Sequence, residues 1–337
     1  MKVLMTSILC QSGLMTHVAD LIRYCLRNAI EVSAAFLKTE FVSETQAEAL
    51  KRRLGGINIW DYQQDEELSE IAEAARCDLI HAHSFLTFKA ALAASQRLQI
   101  PLVVTLHSVY LWAAFYWDVL AKAERIIAVG PAQARYLGPW AEKAVIIPNG
   151  IDTAVFRPGP ESFDSNPGRE IRVLWYGRVN GRLGRGLQVL DAAAPNLPSH
   201  ICLAALGEAD VQIKNITLQG WVDDPVPALQ ESHITFAHGR SLREAMACGS
   251  VGMLIGHGYG GMVTRAKLAE LNYAVDAFPQ YRLPRPNPAD LVRDILQIAN
   301  SGKLLALRKE SRQIAEENFS LELMGSRTVE VYAAALA

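Results

Sequence analysis

Short apolar runs alternate with stretches of helical spacing along most of the chain. Residues 3–5 are a first apolar run, and the SILCQSG that follows reads as a loop. Leu14, Val18, Leu21, Ile22 and Cys25 then recur at the i, i+3, i+4 spacing of one helix face. The chain therefore opens strand, loop, helix. DLIHAH (78–83) reads as a buried strand, a helical stretch follows over 88–98, and LVVTL (102–106), RIIAV (125–129) and AVII (144–147) read as further strands. Strands that alternate with helices pair in parallel through helical crossovers. The stretch 38–64 yields no such pattern.

The segments PNGID (148–152) and FRPGPESFDSNPG (156–168) are rich in Pro, Gly, Ser and Asn, which marks loop or linker. The alternation then restarts. IRVLWYG (171–177), ICLAAL (201–206), ITLQG, ITFA (234–237) and VGMLI (251–255) read as strands, with GLQVLDAAA and LREAMAC as helices between them. The tail from about residue 289 is helical, broken near 301–302 and 319–320. This predicts two doubly wound α/β domains, 1–157 and 158–318, with a closing helical segment 319–337. In open parallel sheets, ligands bind outside the carboxyl ends of the strands.

Composition narrows the function without naming it. The 337 residues are 50% hydrophobic and 20% charged, an ordinary globular balance at a length that suits about two domains. A formal net charge of −2 and the lack of a basic patch argue against a nucleic-acid partner. None of Cys10, Cys25, Cys77, Cys202 and Cys248 has the CxxC spacing of a zinc or redox site, so reduced thiols are expected. There is no signal-peptide pattern and no apolar run of spanning length, so a cytoplasmic protein without stable membrane insertion is expected.

Several segments, taken together and in order, resemble family 4 glycosyltransferases of the GT-B fold. SGLMTHVADL resembles the family's first Gly-rich loop and helix; DLIHAHSFLTFKAALAA, IPLVVTLH, AERIIAVGPAQARYL and VIIPNGIDTAVFRPG are similar to the rest of its N-terminal domain. IRVLWYGRVNGRLGRGLQVL resembles the phosphate-binding start of the second domain, and ITLQGWVDDPVPALQESHITFAHGRSLREAMACGS its base- and ribose-binding core. NFSLELMGSRTVEVYAAAL is similar to the final helices, which cross back to the first domain. The resemblance implies two Rossmann-like doubly wound domains facing each other across a cleft. The first would bind an acceptor hydroxyl and the second a UDP-, GDP- or dTDP-sugar. It also implies transfer with retention of configuration, hinge closure around PNGID, and no cofactor.

The residue types fit that chemistry. A diphosphate leaving group needs fixed cations and N–H donors. Arg178 in YGR and Arg185 in GRG stand where the family places an Arg and a Lys; Arg182 between them is an alternative second clamp. Gly13, Gly177 and Gly207 allow close backbone approach, and a helix start near Gly13 presents free N–H groups to an anion. Glu244 matches the last Glu of the family's paired motif, with two oxygens suited to a vicinal diol. The other Glu is expected eight residues earlier, where Phe236 stands, and His238, Gly239 and Arg240 fill the shorter loop. Trp221 and Val222 complete the expected donor set. The glycine-dense GHGYGGMVT is a candidate lining of N–H donors. His107, at the end of LVVTLH, is expected near the reacting centre, with His83, Trp112 and Tyr116 as acceptor contacts; the aromatic run LWAAFYWDVL also reads as a helix burying its apolar side. His81 and His83 should point to opposite faces of a regular strand, which makes a poor chelate. No metal ligand set and no metal requirement is predicted.

Overall fold

The computed structural model describes residues 1–337 except Gln11, 161–169, Asn180, Arg182, Leu183 and Ala277. The chain divides into two compact units, Met1–Gly150 with Leu321–Ala337, and Ile151–Ser320.

The first unit runs β1 (Lys2–Ile8), α1 (Gly13–Arg27), β2 (Glu31–Leu37), α2 (Glu44–Arg52), β3 (Asn58–Tyr62), α3 (Asp65–Ala75), β4 (Leu79–Ala82), α4 (Phe88–Leu98), β5 (Leu102–Leu106), α5 (Trp112–Phe115), α6 (Trp117–Lys122), β6 (Arg125–Ala128), α7 (Pro131–Ala134) and β7 (Ala144–Ile146). Its described strands form one sheet, β3-β2-β1-β4-β5-β6-β7, parallel throughout. Helices cover both faces, so the central strands read as continuous apolar runs. Val3 and Met5 pack on one face against Val18, Leu21 and Tyr332, while Leu4 packs on the other with Ile80, Phe88 and Val104. Burying one such aliphatic side chain stabilises the fold by about 1.5–3 kcal/mol.

β1 reaches further than its apolar run. Thr6 and Ser7 are buried and pair with Ala35 and Phe36 of β2, and the Thr6 hydroxyl lies 3.0 Å from that of Tyr62. A hydrogen-bonded hydroxyl can occupy a strand interior without an unmet polar group. β3 escaped the pattern for a different reason: it is an edge strand, and most of its residues are partly or fully exposed.

The second unit runs β8 (Ile171–Tyr176), α8 (Gly184–Ala193), β9 (Ile201–Leu206), β10 (Thr217–Leu218), α9 (Val226–Glu231), β11 (Ile234–Ala237), α10 (Gly239–Ala247), β12 (Val251–Ile255), β13 (Tyr259–Met262), α11 (Arg265–Glu270), α12 (Pro288–Ala299) and α13 (Leu304–Phe319). The described sheet order is β10-β9-β8-β11-β12-β13, parallel except for the last pair. Part of the glycine-dense GHGYGGMVT is therefore β13, an antiparallel edge strand, rather than loop.

The first boundary lies at Gly150/Ile151, before the expected 157/158. Ile151 bridges Ser320, and the Arg312 guanidinium donates to the carbonyls of Thr153 and Phe156 at 3.0 and 2.6 Å. These bonds tie the linker's start to the second unit. The chain's last helix, α14 (Leu321–Leu336), belongs to the first unit and packs on α1. Gly325 makes that packing possible, since a Cβ there would clash with the Tyr24 ring. Among the described residues, no helix is long and apolar enough to cross a membrane.

Strand order reverses beside β1 in the first sheet and beside β8 in the second. Such switch points open crevices at the carboxyl ends of parallel strands. The candidate residues gather at those ends.

Candidate functional site

In the second unit, the chain leaves β8 through Gly177 and Arg178. The Gly177 N–H donates to the Leu206 carbonyl at 3.0 Å, and the Gly207 N–H to the Gly220 carbonyl at 2.8 Å. Gly207 adopts φ +132°, and a Cβ there would lie 2.5 Å from the Gly177 carbonyl oxygen. Only glycine fits where these two loops cross. Gly207 therefore has a structural duty before any contact with a ligand.

Glu244 lies in α10 and is almost fully buried. The Tyr176 hydroxyl donates to its Oε2 at 2.7 Å, and Arg240 Nε donates to its Oε1 at 2.6 Å. Burial, then the Glu244 carboxylate, pushes the Tyr176 phenol far above its usual range, so it stays a donor at neutral pH. A carboxylate oxygen accepts more than one hydrogen bond, which suits the hydroxyls of a diol. Phe236 lies in β11 with no exposed surface, stacked 6.4 Å from Tyr259. Counting back eight residues thus lands inside the core, because only His238 separates β11 from α10. His238 is the N-cap residue of α10, and its Nδ1 lies 3.2 Å from the Ile255 carbonyl. Burial holds its imidazole below the usual range. The Gly239 N–H is already used, donating to the Val275 carbonyl at 2.6 Å.

Arg178 is exposed, 3.5 Å from Glu208, with its guanidinium 5.9 Å from the centre of the exposed Trp221 ring. Val222 is half-buried against Leu174 and Leu206. Arg185, in the first turn of α8, lines a cavity of about 600 Å³ whose wall includes Gln188, Gly256, His257 and Arg285. Neither Arg178 nor Glu244 lines that cavity. Arg178 and Arg185 are thus placed on different features, while Tyr176, Arg240 and Glu244 form one hydrogen-bonded group. Arg182 lies outside the described residues.

In the first unit, Gly13 begins α1, and a Cβ there would meet nothing within 4 Å. His17 follows one turn later on the same face. His83 comes just after β4 and His107 just after β5. The ring centres of His17 and His107 are 4.7 Å apart, those of His17 and His83 5.4 Å, and His83 Nδ1 lies 3.4 Å from His107 Nε2. One ring nitrogen from each of the three lies within 4.8 Å of the others. His83 is buried and His107 half-buried. Burial, with neighbouring imidazoles, holds both well below the usual histidine range and so neutral.

This group corrects the expected geometry. β4 ends at Ala82, so strand alternation stops before His83, and the His81 and His83 rings lie 3.9 Å apart rather than on opposite faces. His81 is fixed from behind, its Nδ1 2.6 Å from the Tyr332 hydroxyl and its Nε2 2.7 Å from that of Thr105. A second correction concerns Trp112. It is 1% exposed, packs in the core with Phe88, and its indole N–H donates to the Gln133 carbonyl at 3.0 Å. It offers no face to an acceptor. Tyr116 is half-buried beside it, and the exposed aromatics of the run are Phe115 and Trp117. Tyr176 and His17 were missed by sequence reasoning. Their signals were a tyrosine just before Gly177 and a histidine four residues after Gly13.

The sequence profile of Glycosyltransferase Family 4 matches residues 11–155, the span that holds Gly13, His83 and His107. Whole-chain similarity reaches a Rickettsia africae glycosyltransferase, with TM-score 0.76, 16% identity, and 99% of this chain and 98% of the other covered. Anabaena HepE in complex with UDP and glucose aligns with TM-score 0.71 and 16% identity over 99% of both chains. Over residues 11–155 the chain is therefore similar to family 4, and as a whole it has the GT-B fold. A D-inositol 3-phosphate glycosyltransferase of Acidothermus cellulolyticus is 29% identical over 36% of this chain, a match that spans 33% of that protein. Within the GT-B fold, the Tyr176, Arg240 and Glu244 group and the three histidines both lie at the carboxyl ends of central strands.

Proposed function

We propose that the chain transfers a glycosyl group from a UDP-, GDP- or dTDP-sugar to an acceptor hydroxyl, with retention of configuration and no metal requirement. The observation that carries this reading is Glu244, a buried carboxylate oriented by Tyr176 and Arg240 beside the switch point of the second sheet. A ribose diol would donate to its carboxylate oxygens. Arg178 and Arg185 would neutralise the diphosphate as charge develops on it. The bond from the anomeric carbon to the phosphate oxygen breaks, and the acceptor oxygen bonds to that carbon on the same face. The acceptor's proton passes to the departing phosphate, so no enzymic nucleophile is needed. His107, held neutral, would hydrogen-bond a reacting hydroxyl. The family 4 match and the fold shared with a UDP-bound neighbour support this reading.

Phe236 motivates a second reading, binding without turnover, since no carboxylate occupies the place of the family's first Glu. A thermal-shift series with UDP, GDP, dTDP and NAD, followed by donor hydrolysis and transfer assays, separates the two. Transfer reads as stabilisation by one nucleoside diphosphate, none by NAD, and turnover of its sugar derivative. Stabilisation without turnover selects the binder. No response to any diphosphate sinks both.

A further inference from the structure

The transfer reading uses His107 singly, yet the fold brings three imidazoles together. His17 comes from α1, His83 from the end of β4 and His107 from the end of β5, so three separate elements beside one switch point converge. We propose that His17, His83 and His107 form a binding site for a divalent transition-metal ion of the Zn²⁺ class.

Imidazole nitrogens suit Zn²⁺, at about 2.0–2.1 Å from the ion. Two such ligands on a tetrahedral ion stand about 3.4 Å apart. His83 Nδ1 and His107 Nε2 are 3.4 Å apart, and the whole set lies within 4.8 Å, so modest rotations of the rings close the site. His107 is partly open to solvent, which provides an entry path. The His81 ring, held by Tyr332 and Thr105, backs His83 and limits its movement. Three protein ligands leave a fourth position for water or an oxygen ligand, the pattern of an open site rather than a closed structural one.

The binding inference is separate from the transfer reading, which needs no ion and uses His107 in the metal-free protein, and its test does not use activity. Chelator-treated full-length protein is titrated with ZnCl₂ by calorimetry and with CoCl₂ by visible absorption. One equivalent should bind, and Co²⁺ should show the intense bands of a four- or five-coordinate nitrogen and oxygen site. His17→Ala, His83→Ala and His107→Ala should each weaken Zn²⁺ binding by roughly tenfold to a hundredfold or more. His200→Ala and His257→Ala, which lie outside the cluster, should bind as the parent does. X-ray absorption of the Zn²⁺-loaded parent covers the case in which a core variant misfolds. Three imidazoles at about 2.0 Å are expected there. Sulfur ligation, fewer than two imidazoles, binding lost only in His257→Ala, or no stoichiometric binding overturns the proposal.

Discussion

The Tyr176 hydroxyl reaches from the last residue of β8 to donate a 2.7 Å hydrogen bond to Glu244 in α10. This bond joins β8, just before Gly177, to the helix that carries Glu244. Tyr176→Phe leaves that oxygen without its buried donor and should cost about 1.5–3 kcal/mol of stability. Urea denaturation of the nucleotide-free protein measures it; unchanged stability would mean the bond does not form in solution. Glu244→Ala should lower nucleoside-diphosphate affinity by an order of magnitude, roughly the value of a charged hydrogen-bond acceptor.

Arg178→Ala and Arg185→Ala should each weaken diphosphate binding by roughly tenfold, as expected for charge-assisted bonds to phosphate. Calorimetric titration separates the two. Arg185 faces a cavity beside Arg285, whereas Arg178 is paired with Glu208 and Trp221, so Arg185→Ala alone should spare the melting temperature. A double variant with parental affinity would show that the anion is held elsewhere.

Two tryptophans five residues apart should behave in opposite ways. Trp112→Ala opens a cavity in the core and strips the Gln133 carbonyl of its donor, at a cost of about 3–5 kcal/mol. Trp117 is 61% exposed, and Trp117→Ala should stay within about 0.5 kcal/mol of the parent. Chemical denaturation of both variants checks the pair.

His233 supplies a pH dependence. Its Nδ1 accepts the Arg172 backbone N–H at 3.0 Å, and burial, then Arg308 and Arg172, pulls its value down to about 4. The folded state therefore resists a proton that the unfolded state accepts near pH 6.5. Stability should be full above pH 6.5 and fall as pH drops toward 4, with His233 contributing up to about 1.4 kcal/mol per pH unit. His233→Asn keeps an acceptor for Arg172 and removes the titration. Its denaturation profile should be flatter by that slope, and a parallel profile would exclude the group.

LVVTL, ITFA and VGMLI match β5, β11 and β12 residue for residue because both faces of those strands are buried; ICLAAL matches β9 as well, although Cys202 is exposed. Where burial is one-sided or polar, the pattern weakened, as at β3 and at Thr6 and Ser7 of β1. The sequence motif singled out Glu244, but Tyr176, which hydrogen-bonds it, lies 68 residues away and only the fold brings them together. The three histidines were hidden for the same reason. Reading His81 and His83 as neighbours in one strand obscured that His83 meets residues from α1 and β5. Trp112 was misplaced because an aromatic run does not reveal which of its rings turns inward.

α14 fills the first unit from the far end of the chain. Leu321, Met324, Val331 and Tyr332 sit in the same apolar cluster as Val3, Met5, Val18 and Leu21. During synthesis the amino-terminal sheet must therefore wait, with one flank of α1 uncovered, while residues 151–320 emerge from the ribosome. The second unit is free to fold in that interval, because its own segment is contiguous. Completion of the first core is thus deferred until α14 emerges, and the Tyr332 hydroxyl that steadies His81 arrives with it.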